Sequence, residues 1–147
     1  MIDRTVKRSL GQMMKGVEVV AARHDGVARA YTSHWVTQVS FEEPIVMASV
    51  SPKHDTYPLM IAAGEFSVSI LAGDQITEGQ YFSYPGRKFQ RIATEMLVDW
   101  PDDSDAPPIV PNSIAHLRCR ILSEQPMEDH RLFARVEQVL EGRLREA

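Results

Sequence analysis

Thr32-Ser33-His34-Trp35-Val36-Thr37-Gln38-Val39-Ser40-Phe41-Glu42-Glu43-Pro44 leads directly into Ile45-Val46-Met47-Ala48-Ser49-Val50. The first part is polar and aromatic, as expected where a barrel strand leaves its hairpin. After Glu42-Glu43-Pro44, the run Ile45–Val50 is apolar enough to predict a buried strand. Ser51-Pro52-Lys53-His54-Asp55-Thr56 then closes the strand and enters a helix over Thr56–Ala63. Asp55 or Thr56 can cap it, Pro58 suits its first turn, and Gly64 stops it.

Working outward on the N-terminal side, Val6–Met14 has helical spacing and ends at Gly16. Val17–Ala22 reads as a valine-rich strand broken only by Glu18. His24-Asp25-Gly26 is a hairpin signal, because Asp-Gly readily takes positive φ, and the return strand runs from Val27 to Tyr31. On the C-terminal side, Phe66–Leu71 alternates apolar residues with Ser67 and Ser69, which predicts a half-buried strand. Asp74 is expected to cap a helix reaching Phe82. Asp99–Pro111, with its aspartates and prolines, predicts a solvated surface loop. Ala115–Ser123 and Leu132–Leu140 alternate again, with Met127–His130 as their hairpin connection. About six strands and two or three short helices, joined mostly by hairpins, predict a mainly β chain in a closed or nearly closed antiparallel barrel.

The bulk numbers fit one domain over residues 1–147 and exclude several classes. A net charge of -4 lacks the basic surplus of a nucleic-acid binder. No stretch approaches the roughly 20 apolar residues of a membrane span. Asp3, Arg4, Lys7 and Arg8 stand at the N-terminus with no apolar run behind them, which argues against a signal peptide. A single cysteine, Cys119, rules out an internal disulfide and fits the cytoplasm. Neither a dinucleotide fingerprint, a P-loop nor a nucleophile elbow is present. The five histidines are scattered, and the one close pair, His116 and Cys119, falls on opposite faces of a strand, so no metal site is expected.

One local constellation remains. Ser49-Val50-Ser51-Pro52-Lys53-His54-Asp55-Thr56 gathers hydroxyls, a lysine and a helix N-terminus within eight residues. Backbone N–H groups and the helix dipole there suit a phosphate. The same residues also make sense as a capped turn with Lys53 in solvent.

The stretch from Thr32 to Pro44 resembles the signature of the flavin-reductase-like, FMN-binding split-barrel family, roughly Thr-Ala-Asn-Ser/Trp-x-x-Ser/Gln-Val-Ser-x-Asp/Glu-Pro-Pro. Gly16-Val17 with Val19-Val20 resembles its first strand. Gly64-Glu65-Phe66-Ser67-Val68-Ser69-Ile70-Leu71 with Gln75, and Glu128-Asp129-His130-Arg131-Leu132-Phe133, resemble two later motifs, and Cys119 falls where many members carry a cysteine. The similarity runs in order from Val6 to Leu144. Departures are His34 for a frequent Asn, Ser69 for Asn, Glu43 for Pro and Glu128 for Gly. Trp35 resembles the branch that includes flavoredoxin-like members.

The resemblance implies a split β-barrel of antiparallel Greek-key type, usually a homodimer, binding FMN (or FAD) near the subunit interface. It places the flavin ring against Thr32, Ser33, His34, Trp35, Gln38, Val39 and Ser40, and the ribityl chain along Ser49, Val50 and Ser51. The phosphate falls at Lys53, His54, Asp55 and Thr56, and Phe82 and Lys88 stand beside the flavin. The implied activity is hydride transfer from NAD(P)H, a transient co-substrate, to flavin N5. His130 is the expected catalytic residue, touching the nicotinamide or gating the ring; it is otherwise an ordinary hairpin histidine. Trp35 is otherwise a core aromatic. The partner is a monooxygenase or an electron-transfer protein, with no nucleic acid or membrane involved. Alternatives are an FMN-bound electron carrier reduced by another protein and a non-redox split-barrel binder.

Overall fold

The computed structural model describes residues 2–83 and 96–143. Chain order is α1 (Arg4–Leu10), β1 (Glu18–His24), β2 (Val27–Ser33), β3 (Val36–Gln38), β4 (Ile45–Val50), α2 (Thr56–Ala63), β5 (Glu65–Ile70), α3 (Ile76–Ser83), β6 (Ala115–Met127) and β7 (Asp129–Glu141). The strands form one antiparallel sheet in the order β2-β1-β5-β6-β7-β4-β3. Its two edge strands, β2 and β3, are consecutive in the chain and separated only by His34 and Trp35. Two residues reach about 10 Å at most, so the sheet must curl until its edges meet there. The result is the expected split barrel, with its seam at residues 34–35.

Local chemistry explains most of the elements. Asp25 (φ 50°) and Gly26 (φ 76°) make the tight β1–β2 turn, a conformation Asp and Gly adopt more easily than other residues. α2 stops where Gly64 takes φ 72° and its N–H donates to the Met60 carbonyl. It crosses from β4 over β1, β2 and β5 and covers one end of the barrel. Val20, Ala22, Val46, Ala48, Val50, Phe66, Val68, Cys119, Leu132 and Ala134 fill the interior. Burying the Cys119 thiol there pushes its pKa up to about 12, so it is packing and not a nucleophile.

Several expectations need correction. α1 ends at Gly11 instead of running to Met14, and it buries no residue. β4 does not bury both faces: Val46, Ala48 and Val50 point inward while Ile45, Met47 and Ser49 are half-buried. Ser67 and Ser69 are fully buried, because the segment from Val98 to Pro111 lies across the outer face of β5. The Ser67 hydroxyl donates to the Pro108 carbonyl (2.5 Å), and Ser69 Oγ accepts from the Val110 N–H (3.0 Å). This segment is therefore no solvated acidic excursion. Asp103 pairs with Arg118 (2.9 Å) and Asp99 with Arg23 (3.0 Å), while Ala106, Ile109 and Val110 are buried. Asp74 accepts from Arg143 (2.6 Å), and the side chain near α3 that serves the backbone is Gln75, accepting from the Ala72 N–H (2.8 Å). The β6–β7 turn is tighter than expected, with Met127 paired to Asp129 across Glu128 at φ 48°.

Candidate functional site

Trp35, Ser49 and Val50, three of the residues expected to hold a flavin, fall in one band across the end of the barrel that carries the seam. The Ser49 N–H donates to the Trp35 carbonyl (3.0 Å), and on the other side Ser49 is paired with Arg131 and Val50 with His130. At about 4.8 Å per strand, residues 35, 49 and 131 span roughly 10 Å. The last turn of the band is the loop into α2.

That loop gathers a lysine, a histidine and a helix start. The Lys53 N–H donates to Ser51 Oγ (3.2 Å) and the His54 N–H to the Ser51 carbonyl (3.1 Å), which folds the chain back before the helix. Asp55 occupies the N-cap position but makes no side-chain capping bond, so the N-terminus of α2 is not closed by its own side chain. Lys53 is exposed beside it. His54 is half-buried and its ring stacks on Tyr31 at 4.5 Å. Burial holds its pKa below the usual histidine value, against the pull of Asp129 and Asp55. It is therefore neutral at pH 7, beside the exposed ammonium of Lys53. The Thr56 side chain is buried.

His130 sits at this same turn. Tyr57, from the first turn of α2, packs on its ring edge at 4.8 Å. Its Nδ1 lies 2.9 Å from Glu124 Oε2 and 2.8 Å from the Tyr57 oxygen, and the Tyr57 hydroxyl donates to the same Glu124 oxygen. A carboxylate only accepts, so Nδ1 carries the proton, and Nε2 is left for another partner. These donors hold the Glu124 carboxyl below its ordinary pKa, and the Tyr57 phenol is pushed up to about 12. Neither Tyr57 nor Glu124 was expected from sequence. Tyr57 lies 73 positions from His130 and is brought to it by α2, while Glu124, six positions away, reaches it across the β6–β7 hairpin.

Elsewhere the expected residues divide. Trp35 is 51% exposed and tilted against His34 at 5.0 Å, so it is not a core aromatic. The Ser33 hydroxyl accepts from the Trp35 N–H (2.9 Å), and the Thr32 hydroxyl donates to the Gly79 carbonyl of α3 (2.6 Å). Gln38 is exposed at the rim of a cavity, and its amide donates to the Ser40 carbonyl (2.9 Å). Val39 is exposed, and Phe41 almost completely so. Phe82 is a core residue, packed with Val19 and Val110. Lys88 lies outside the described residues. No cluster of three or more metal-ligating side chains occurs among the described residues.

The flavin reductase like domain model matches residues 10–146. The reductase component of the 4-nitrophenol 4-monooxygenase/4-nitrocatechol 2-monooxygenase of Rhodococcus opacus is 30% identical over 134 residues, covering 90% of this chain and 69% of its own length. The FMN reductase (NADH) of Agrobacterium fabrum is 26% identical over 131 residues, 89% of this chain and 72% of its own. The solved NADH:FAD oxidoreductase of Streptomyces globisporus shares the fold, with TM-score 0.81, 24% identity, and coverage of 96% of this chain and 86% of its own.

Proposed function

The chain belongs to the flavin reductase-like domain family, and on that premise we propose that it is an NADH-dependent flavin reductase, with FMN as its flavin. The observation that carries the reading is the juxtaposition of an uncapped helix start, Lys53 and His130 at one end of the seam. The donor set fits a flavin phosphate: backbone N–H groups, an ammonium and a neutral imidazole, all able to donate to an anion. Lys53 and the first turn of α2 hold the phosphate, Ser49 and Ser51 follow the ribityl chain, and residues 32–35 line the ring. When bound, the flavin supplies the hydride-accepting ring. Glu124 and Tyr57 fix the His130 imidazole with its Nδ1 proton inward, leaving Nε2 to orient a nicotinamide.

A homodimer completes this reading. Trp35, Val39 and Phe41 are exposed near the seam, and so are Leu122 and Met127 in the far half of the β6–β7 hairpin, apolar surface that a partner chain would cover. The relatives named as reductase components suggest delivery of reduced flavin to a monooxygenase. No helix among the described residues is long and apolar enough to cross a membrane, and the lone buried thiol accords with the cytoplasm.

The test is anaerobic stopped flow with NADH and FMN. Bleaching of the flavin absorbance at saturating NADH is expected. If NADH and NADPH both leave the flavin oxidised, the electron-carrier reading takes over; a protein that also fails to bind FMN is the non-redox binder. Sedimentation of a monomer that binds FMN tightly would refute the dimer.

A further inference from the structure

Glu18 is the one charged residue facing the barrel interior from β1. It shares that face with Val20 and Ala22, since alternate residues of a strand point the same way. Its side chain borders a cavity of about 340 Å³ whose other walls are Val36, Ile45, Val46, Val68, Ile70, Leu117 and Val136, open to solvent at a rim of Thr37, Gln38 and Pro44. Glu18 is 8% exposed, and its Oε2 is buried without a hydrogen-bond partner. The backbone at Gly16 passes so close that a Cβ there would lie 2.8 Å from Oε1, so the carboxyl is held against the chain on one side and faces the cavity on the other. Among the described residues, no other lining side chain carries a charge. An unpaired carboxylate in an apolar wall is costly unless something in the cavity donates to it.

We propose that this cavity is a binding site for a small apolar primary amine, its ammonium on Glu18 and its hydrocarbon body among Val46, Val68, Leu117 and Val136. The volume lies at the low end of small-molecule pockets, about 300–1,000 Å³, and the lining has their usual form of apolar walls with one directing polar group. An ammonium supplies several donors and the missing charge together, which an alcohol cannot. The site is distinct from the turn assigned to the flavin phosphate. Val46, on its wall, is four residues along β4 from Val50, about 13 Å at the rise of a strand.

The test is methyl-resolved NMR titration of the full chain at pH 8 with three probes of one shape: cyclohexylmethylamine, cyclohexylmethanol and cyclohexanecarboxylate. The amine should shift the methyls of Val46, Val68, Ile70, Leu117 and Val136 saturably and bind at least about tenfold more tightly than the alcohol. The carboxylate should not bind. Glu18→Gln should abolish the preference for the amine, and Val36→Phe, which keeps the charge but fills the space, should abolish binding of amine and alcohol alike. Equal affinity for amine and alcohol, an amine preference that survives Glu18→Gln, or no saturable shift in the wild type would each overturn the proposal. Because the readout contains no flavin, it stands or falls independently of flavin reduction.

Discussion

Replacing Glu18 by Gln should stabilise the protein at alkaline pH and leave it almost unchanged at acid pH. Burial raises the pKa of this carboxyl from an ordinary 4.5 to about 7. Between those values the folded chain holds a proton that the unfolded chain has lost, so stability falls as pH rises through that window. At about 1.36 kcal/mol for each tenfold change, the full displacement corresponds to roughly 3.4 kcal/mol. Water reaching the cavity screens the charge, and about half that value, 1.5–2 kcal/mol, is the expected cost above pH 7.5. Gln keeps the shape and a donor but no charge, so it removes the cost. For a chain of this size the gain is a rise in melting temperature of about 3–8 °C at pH 8.5, shrinking towards zero near pH 4.5. Thermal melts of both proteins across that range provide the measurement. Parallel curves, or a variant less stable at pH 8.5, would mean that Glu18 is paired or solvated after all.

Lys53→Ala should weaken FMN binding by about 10–100-fold, the loss of one charge-assisted hydrogen bond, and leave riboflavin affinity nearly unchanged in fluorescence titrations; equal losses would place the phosphate elsewhere. Glu124→Gln, which leaves Tyr57 and His130 in place but replaces the carboxylate by a neutral amide, should slow flavin reduction by NADH several-fold with FMN affinity preserved. His130→Ala should slow it further, and an unchanged stopped-flow rate in both would remove His130 from the reaction. Arg118→Ala should lower stability by about 2–3 kcal/mol, because Arg118 is half-buried and joins Glu65 (2.8 Å) to Asp103 (2.9 Å); urea unfolding reads the change.

What could be read from the sequence was local. The Asp25-Gly26 turn, β4 and α2 are each determined by neighbouring residues, and they lie where periodicity and turn chemistry put them. β3 was missed because Val36–Gln38 is a three-residue edge strand with polar side chains, and it pairs only because β4 lies alongside. The burial of Ser67 and Ser69 was invisible because it depends on Pro108 and Val110, some 41 positions away. The site divides the same way. Residues 49–56 are contiguous, so their hydroxyls, lysine and helix start can be read together from the sequence, whereas the Tyr57–Glu124–His130 cluster spans up to 73 positions. Glu18 did leave a trace, as the single charge in a valine-rich strand, but its empty surroundings emerge only from the fold.

The strand order also has a kinetic reading. β1–β2, β3–β4 and β6–β7 are hairpins of neighbours in sequence, which close in microseconds. The seams that weld them are long-range: β1 meets β5 with Glu18 opposite Ile70, and β4 meets β7 with Val50 opposite His130, 80 positions away. Loop closure of that length is paid before its contacts form, so docking β4 on β7 is expected to be the late step. Val50 and His130 flank the turn proposed for the phosphate, so that proposed pocket comes into being only with that last pairing. A flavin then binds the finished barrel and no earlier species: it should slow unfolding while leaving the folding rate where it was.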